Sequence, residues 1–205
     1  AARLKIIGVT GPSGSGKSML CQAFSNLGYC HIDTDALYHR LLAECRPMQE
    51  ELARSFGSGV LQNNCVSRDA LRPLVLGHGN EKKLALLNKI THKYVCRACI
   101  GIISAEKEKA TKGVLIDAPL LVEARLDKIC DLVIGVLCDT ERRIARIMAR
   151  DGISEADARI RIAAQKSAQF YCRHCDALFW NDGTLDAAAA FAKDIDHILC
   201  RGGTI

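Results

Sequence analysis

The chain has 205 residues, 49% of them hydrophobic and 25% charged, with a formal net charge of +5. That composition can build a sizeable core, which excludes wholesale disorder and suits one α/β domain with a small insertion. The charge is too mild to argue for nucleic acid and fits a polyphosphate ligand equally well. Neither a secretory signal nor a run of about 18 apolar residues is legible, so a membrane span is not expected.

Leu4 to Val9 is short, continuous and apolar, the pattern of a strand buried on both faces of a parallel sheet. Gly11-Pro12-Ser13-Gly14-Ser15-Gly16-Lys17-Ser18 follows it and precedes a helical pattern from Met19 to Leu27. This fits G-x-x-x-x-G-K-[ST] in the strand–loop–helix setting that the phosphate-binding P-loop requires. Its glycines let the backbone curl and turn N–H groups toward an anion, and the helix adds the positive end of its dipole. Lys17 is placed to reach the β- and γ-phosphates of ATP, and the Ser18 hydroxyl to bind Mg²⁺.

Tyr29–Ile32 is predicted as a second strand, with Asp33-Thr34-Asp35 at its C-terminal end. Thr34 or Asp35 is expected to cap a helix starting at Ala36. Residues 36–112 hold no convincing strand and are read as a helical insertion. Within it Pro47 opens a helical segment, Ser67 looks like an N-cap, and a long pattern runs from Glu81 to Lys109 with an exposed, charged end at Glu106 to Lys109. Val114–Ile116 and Leu132–Leu137 are the third and fourth strands, and Ala177–Trp180 a weak fifth. A helix is expected over Thr140–Arg150, another from the Ser154 cap to about Ala168, and a last one over Leu185–Leu199. Strands alternating with helices predict a mostly parallel, doubly wound α/β sheet, whose ligands bind at the carboxyl ends of the strands. The P-loop, Asp33, Asp35 and Asp117 all fall at such ends.

A kinase must hold ATP and Mg²⁺, position a hydroxyl, accept its proton and offset charge on the transferring phosphoryl. Asp33 or Asp35 suits the general base; the plainer reading of each is a helix cap or a water-mediated Mg²⁺ contact, and two acids at a strand end beside a P-loop favour a site role. Asp117 stands where a Walker-B acid would contact Mg²⁺ directly or through water, or else it caps the turn into Ala118-Pro119. Arg142, Arg146 and Arg150 share a helix face at i, i+4, i+8, and Arg159 and Arg161 follow. The cluster reads either as a lid over the phosphates or as a solvated face. Lys89, Lys93 and Arg97 form a similar stripe in the insertion. Of the 11 cysteines, Cys96/Cys99 and Cys172/Cys175 form C-x-x-C pairs too far apart for a zinc ribbon, so plain helix packing of reduced thiols is the simpler reading.

In this order the motifs resemble those of dephospho-coenzyme A kinase, the last enzyme of coenzyme A synthesis. The resemblance covers nearly the whole chain. It is carried by GSGKS at Gly14–Ser18, I-D-T-D at Ile32–Asp35, Ser67-Arg68-x-x-Leu71, and Leu87-Asn88-x-Ile90-Thr91-His92. It continues through Ala118-Pro119-Leu120-Leu121-Val122-Glu123, Arg150-Asp151-Gly152-Ile153-Ser154, Arg161-Ile162-Ala163-Ala164-Gln165 and Asn181-Asp182-Gly183. Pro12-Ser13 stands in place of the family's Gly-Ile, and Lys93 in place of a Pro after His92. A P-loop of this sequence also occurs in uridine-kinase-like enzymes, the alternative nucleoside or nucleotide kinase reading.

The resemblance implies a P-loop kinase fold: a roughly five-stranded parallel sheet flanked by helices, with a helical substrate-binding insertion and a lid. Residues 1–205 would form a single kinase unit, with a nucleotide-binding core of residues 1–35 and 113–205, the insertion at 36–112 and the lid at 151–168. It implies transfer of the ATP γ-phosphate to the 3′-hydroxyl of dephospho-coenzyme A in the cytoplasm, by a monomer or small homo-oligomer without nucleic-acid or membrane partners. Asp35, with Asp33, Lys17 and Arg150, would be catalytic. Ser13, Gly14, Ser15, Gly16, Lys17, Ser18, Arg142 and Asn181 would bind ATP. Asp33, Arg68, His92 and Arg161 would meet the substrate, and Ser18 and Asp117 would hold Mg²⁺.

Overall fold

The computed structural model describes residues 3–63, 65–109 and 111–201. In chain order its elements are β1 (Lys5–Thr10), α1 (Lys17–Asn26), β2 (Tyr29–Asp33), α2 (Thr34–Glu44), α3 (Arg46–Phe56), β3 (Leu61–Gln62) and β4 (Cys65–Val66). Then come α4 (Arg68–Val75), α5 (Glu81–Glu106), β5 (Gly113–Asp117), β6 (Leu132–Leu137), α6 (Thr140–Asp151), α7 (Glu155–Ala163), α8 (Ala168–His174), β7 (Ala177–Trp180) and α9 (Leu185–Cys200). The chain divides into two compact units, Ala1–Ile32 with Ala105–Ile205, and Asp33–Ser104.

The first unit is built on a five-stranded sheet in the order β2-β5-β1-β6-β7. The central strand β1 pairs in parallel with β5, Val9 opposite Asp117, and with β6, Val9 opposite Ile134. Every residue of β6 is buried, as a strand covered on both faces demands. Ile7, Val9, Leu115, Ile134 and Val136 pack with Leu20 and Phe24 of α1 and with Ala188, Ala192, Ile195 and Leu199 of α9. Small alanines let α9 lie close against α1. Asp196 in that layer is 5% exposed and held by two short hydrogen bonds, from Tyr29 Oη at 2.9 Å and Lys112 Nζ at 2.5 Å, with the Cys200 thiol a longer third donor at 3.9 Å. Burial and the neighbouring carboxylate push the Tyr29 phenol well above its ordinary range. Tyr29→Phe deletes one of those two short bonds and is expected to destabilise the fold by about 1–3 kcal/mol. Urea unfolding checks this, and a loss under about 0.5 kcal/mol would assign the bond no net value.

The second unit is a small helical body around Leu42, Met48, Leu52, Val60, Val66, Leu71, Val75, Leu87 and Ile90. Buried Gln49 donates from Nε2 to the carbonyls of Leu42 (3.0 Å) and Ala43 (2.9 Å), satisfying the end of α2. Ser67 caps α4 by accepting from Ala70 N, as its position predicts. Pro47 lies in the first turn of α3, where its missing N–H costs nothing. Lys93, in the interior of α5, donates to Glu51 at 2.6 Å, and Tyr94 Oη reaches the same carboxylate at 2.7 Å. Lys93 is therefore tied within this unit, and the Lys89/Lys93/Arg97 stripe is not a uniformly solvated face.

Four expectations need correction. A β3/β4 hairpin of two residues per strand stands inside the insertion; strands this short carry no readable period. The cap of α2 is neither Thr34 nor Asp35 but Asp33, whose Oδ1 accepts from Asp35 N (2.9 Å) and Ala36 N (3.0 Å). The helix capped by Ser154 ends at Ala163, and a separate α8 begins after Ser167. Glu106 is 7% exposed, not solvated, because Lys109 (2.7 Å) and Thr111 (2.5 Å) fold back on it.

Candidate active site

The loop from Gly11 to Gly16 joins β1 to α1, whose first turn carries Lys17 and Ser18. Ser15 N closes it onto Pro12 O at 3.1 Å, and Gly14 and Gly16 take left-handed φ of 78° and 82°. A side chain at Gly14 would strike Arg143 O at 2.8 Å, and one at Gly16 would strike the Asn181 amide. Both positions need glycine twice over, for backbone angle and for space. Lys17 Nζ lies 3.4 Å from Gly11 O, folded back along the loop. Ser15 is fully buried, with no hydrogen-bond partner for its Oγ among the described residues. An orphaned hydroxyl under a ring of curled amides fits an anionic ligand, because such a nest gathers donors on one side.

A nest that turns its N–H groups inward turns its carbonyls outward, and those carbonyls need donors of their own. Asn181 is fully buried; its Nδ2 donates to Ser15 O at 2.8 Å and to Gly16 O at 3.3 Å, while its Oδ1 accepts from Gly183 N at 2.9 Å. Arg143 donates from Nε to Ser13 O at 3.0 Å, and Arg146 from Nη1 to Gly14 O at 3.0 Å. Gln165 Oε1 accepts from Ser13 N (3.0 Å) and from Arg143 Nη2 (2.7 Å). The break between α7 and α8 supplies that acceptor, since Gln165 lies just past the end of α7.

Arg150 Nη2 reaches Ser13 Oγ at 3.0 Å and holds Asp151 at 2.7 and 2.9 Å. Asp151 also takes a hydrogen bond from Arg161. The Arg150 hydrogen bond, and then the charges of Arg150 and Arg161, hold the Asp151 carboxyl below its usual range. Arg142 spans the turn after β7, donating to Asp182 O and pairing with Asp139 at 3.1 Å. Asp117 ends β5 with its side chain 16% exposed, 3.6 Å from His31 Nε2. Ser18 is exposed in the first turn of α1. A hydroxyl and a carboxylate at those two places are hard oxygen donors suited to Mg²⁺.

In the second unit Asp35 is exposed in the first turn of α2, one residue past the Thr34 that follows the Asp33 cap. Arg68 Nη1 lies 3.1 Å from His39 Nε2. His92 is half-buried on α5.

These features ask for comparison with known nucleotide kinases. A family model described as dephospho-CoA kinase matches residues 5–187. The chain belongs to the dephospho-CoA kinase family. A dephospho-CoA kinase of Corynebacterium glutamicum is 34% identical over 197 residues, covering 95% of this chain and 98% of its own. One of Latilactobacillus sakei is 32% identical over 195 residues, covering 95% and 96%. Among solved structures, a Thermus thermophilus protein superposes with a TM-score of 0.78 at 28% identity, covering 97% of this chain and 99% of that one. A dephospho-CoA kinase from Campylobacter jejuni superposes with a TM-score of 0.67 at 20% identity, covering 96% and 98%, and supports the fold. The chain is thus a kinase with the α/β P-loop kinase fold, of the family that performs the final step of coenzyme A synthesis. Uridine-kinase-like enzymes share its P-loop sequence but are not the family matched. No helix among the described residues is long and apolar enough to cross a membrane.

Dephospho-CoA kinase motifs singled out Asn181 and Arg142 as ATP ligands. Here Asn181 touches the loop's main chain, and Arg142 the turn beside it. Arg143 was absent from the expected site, Arg146 was read only as a lid or solvated-face arginine, and Gln165 only as part of the lid motif. Arg143 lies one residue off the i, i+4, i+8 stripe, and its signal is the loop's outward carbonyls, which no sequence pattern displays.

Proposed function

We propose that the chain transfers the γ-phosphoryl group of ATP to the 3′-hydroxyl of the dephospho-coenzyme A ribose, giving coenzyme A and ADP. The observation that supports the nucleotide half is the tethering of the loop's carbonyls by Asn181, Arg143 and Arg146, which holds the curl of a phosphate-binding nest. Family membership carries the acceptor half.

Gly14 and Gly16 give backbone donors and Ser15 its buried hydroxyl to the phosphates, while the amides of Ser13 and Ser15 hold the loop's shape on Gln165 Oε1 and Pro12 O, and the first turn of α1 adds its dipole. Lys17 leaves Gly11 O for the β- and γ-phosphates. Ser18 and, directly or through water, Asp117 would hold Mg²⁺, which when bound offsets phosphate charge. Arg150 exchanges Ser13 Oγ for the transferring phosphoryl and offsets its developing charge. Asp33, as helix cap, fixes the first turn of α2, and Asp35 accepts the proton of the attacking hydroxyl. Arg68, His92 and Arg161 meet the anionic and polar parts of the acceptor. The reading places the protein in the cytoplasm, as a monomer or small homo-oligomer. Residues 151–168 act as the lid, and residues 36–112 as the acceptor-binding insertion.

Purified protein with Mg-ATP and dephospho-coenzyme A should release ADP and a 3′-phosphorylated product in equal amounts, read by mass spectrometry. Phosphorylation of uridine or a nucleotide in its place, with no such product, would falsify the acceptor assignment.

A further inference from the structure

Cys21, His31 and Asp117 come from α1, β2 and β5, and no motif spacing links them. The fold nonetheless brings one sulfur, one ring nitrogen and one carboxylate oxygen within 4.8 Å of one another. His31 Nε2 stands 3.6 Å from Asp117 Oδ2. That exceeds the ~2.7–2.9 Å of a charge-assisted hydrogen bond. It is close to the roughly 3.4 Å between two N or O ligands each ~2.0–2.1 Å from a tetrahedral ion. Exposure rises across the trio: Cys21 is 1% exposed, the Asp117 side chain 16% and the His31 side chain 33%. The thiol wall is therefore closed, and the histidine side opens to solvent.

We propose that Cys21, His31 and Asp117 form a binding site for a thiophilic divalent cation of the zinc type, with its fourth position open to water. Cysteine sulfur, histidine nitrogen and carboxylate oxygen are each zinc ligands, and three protein ligands with one open position is the arrangement of catalytic zinc, whereas Mg²⁺ takes oxygen ligands. Binding replaces the Cys21 S–H bond by an S–metal bond and releases that proton to solvent, and it takes His31 as the neutral imidazole. The C-x-x-C pairs do not compete on these grounds. No histidine or carboxylate groups with either pair at ligand distance among the described residues. Asp117 is also the acid assigned to Mg²⁺ above. Resting on that reading, occupancy by zinc withdraws this carboxylate and slows phosphotransfer.

The test is titration of the metal-free full chain with Co²⁺ under phosphine reductant. One equivalent should develop a thiolate-to-cobalt charge-transfer band and the visible bands of a tetrahedral site, and Zn²⁺ should bleach both. His31→Gln, at a solvent-facing position where folding is spared, should weaken cobalt binding at least about tenfold. Cys21→Ser should remove the charge-transfer band, and if that buried substitution unfolds the chain, His31→Gln alone decides. Absence of the band at one equivalent, or an unchanged band in the variants, overturns the site by placing the metal on other thiols. Turnover of the metal-free protein with Mg-ATP tests the phosphotransfer reading separately. One equivalent of Zn²⁺ should slow the parent and leave His31→Gln less affected; equal slowing of both overturns the shared-carboxylate link.

Discussion

Asp35→Asn should bind ATP nearly as the parent does and turn over roughly 10²-fold or more slowly, as loss of a general base requires. The structure separates the two acids of the pair. Asp33 Oδ1 is committed to the amides of Asp35 and Ala36, while Asp35 is exposed in the first turn of α2. Asp33→Asn is the matched control, because asparagine caps a helix as well as aspartate does. It should keep the turn and most of the turnover. Calorimetry gives ATP affinity, and single-turnover kinetics isolate the chemical step. Near-normal turnover in Asp35→Asn, with a large loss in Asp33→Asn, would reverse the two roles.

The second large effect is expected at Asn181, which no phosphate needs to touch. Asn181→Ala removes the donor to Ser15 O and Gly16 O from a fully buried position. Two carbonyls of the nest lose that donor, and each orphaned buried group costs about 1–3 kcal/mol. Part of that loss appears as lower global stability and part as a loop that must be reordered when nucleotide binds. ATP affinity should fall roughly 10- to 100-fold, equivalent to about 1.4–2.8 kcal/mol, with the KM for the acceptor little changed. Trp180, the chain's single tryptophan, is 60% exposed and adjacent to Asn181, so its fluorescence can report nucleotide binding directly. Unchanged ATP affinity in this variant would remove Asn181 from the positioning role.

The inner strand β6 was legible because a strand buried on both faces writes itself as a continuous apolar run, and the edge strands β2 and β7, partly exposed, because they are short apolar runs bounded by turn signals. Leu132–Leu137 and Ala177–Trp180 were read with the bounds they have, and Tyr29–Ile32 was short by one residue. The long helices were legible through period and caps, Ser67 and Ser154 among them. What escaped lacks periodicity or depends on distant partners. The hairpin at Leu61–Val66 is too short to show alternation. The stop of α7 at Ala163 has no glycine or proline to mark it. Arg143 and Gln165 became visible only once the loop's carbonyls had positions, and Cys21 and His31 only once α1, β2 and β5 were assembled. Asp33 stood out in the sequence as an acid at a strand end, but its capping bonds depend on the local backbone turn.

The tethers on the P-loop carry one further consequence. Asn181, Arg143 and Arg146 grip main-chain carbonyls, and Gln165 grips a main-chain amide. Among the described residues, Arg150 alone holds a loop side chain, the Ser13 hydroxyl. The anchoring machinery is thus almost blind to which residues occupy positions 12 and 13, provided the backbone keeps its curl. Another pair of residues at positions 12 and 13 could spell the same backbone shape, losing only the Ser13 hydroxyl that Arg150 holds. A chain can drift at these two letters without losing its grip on phosphate, so the loop is a reliable marker of the ligand and a poor marker of lineage.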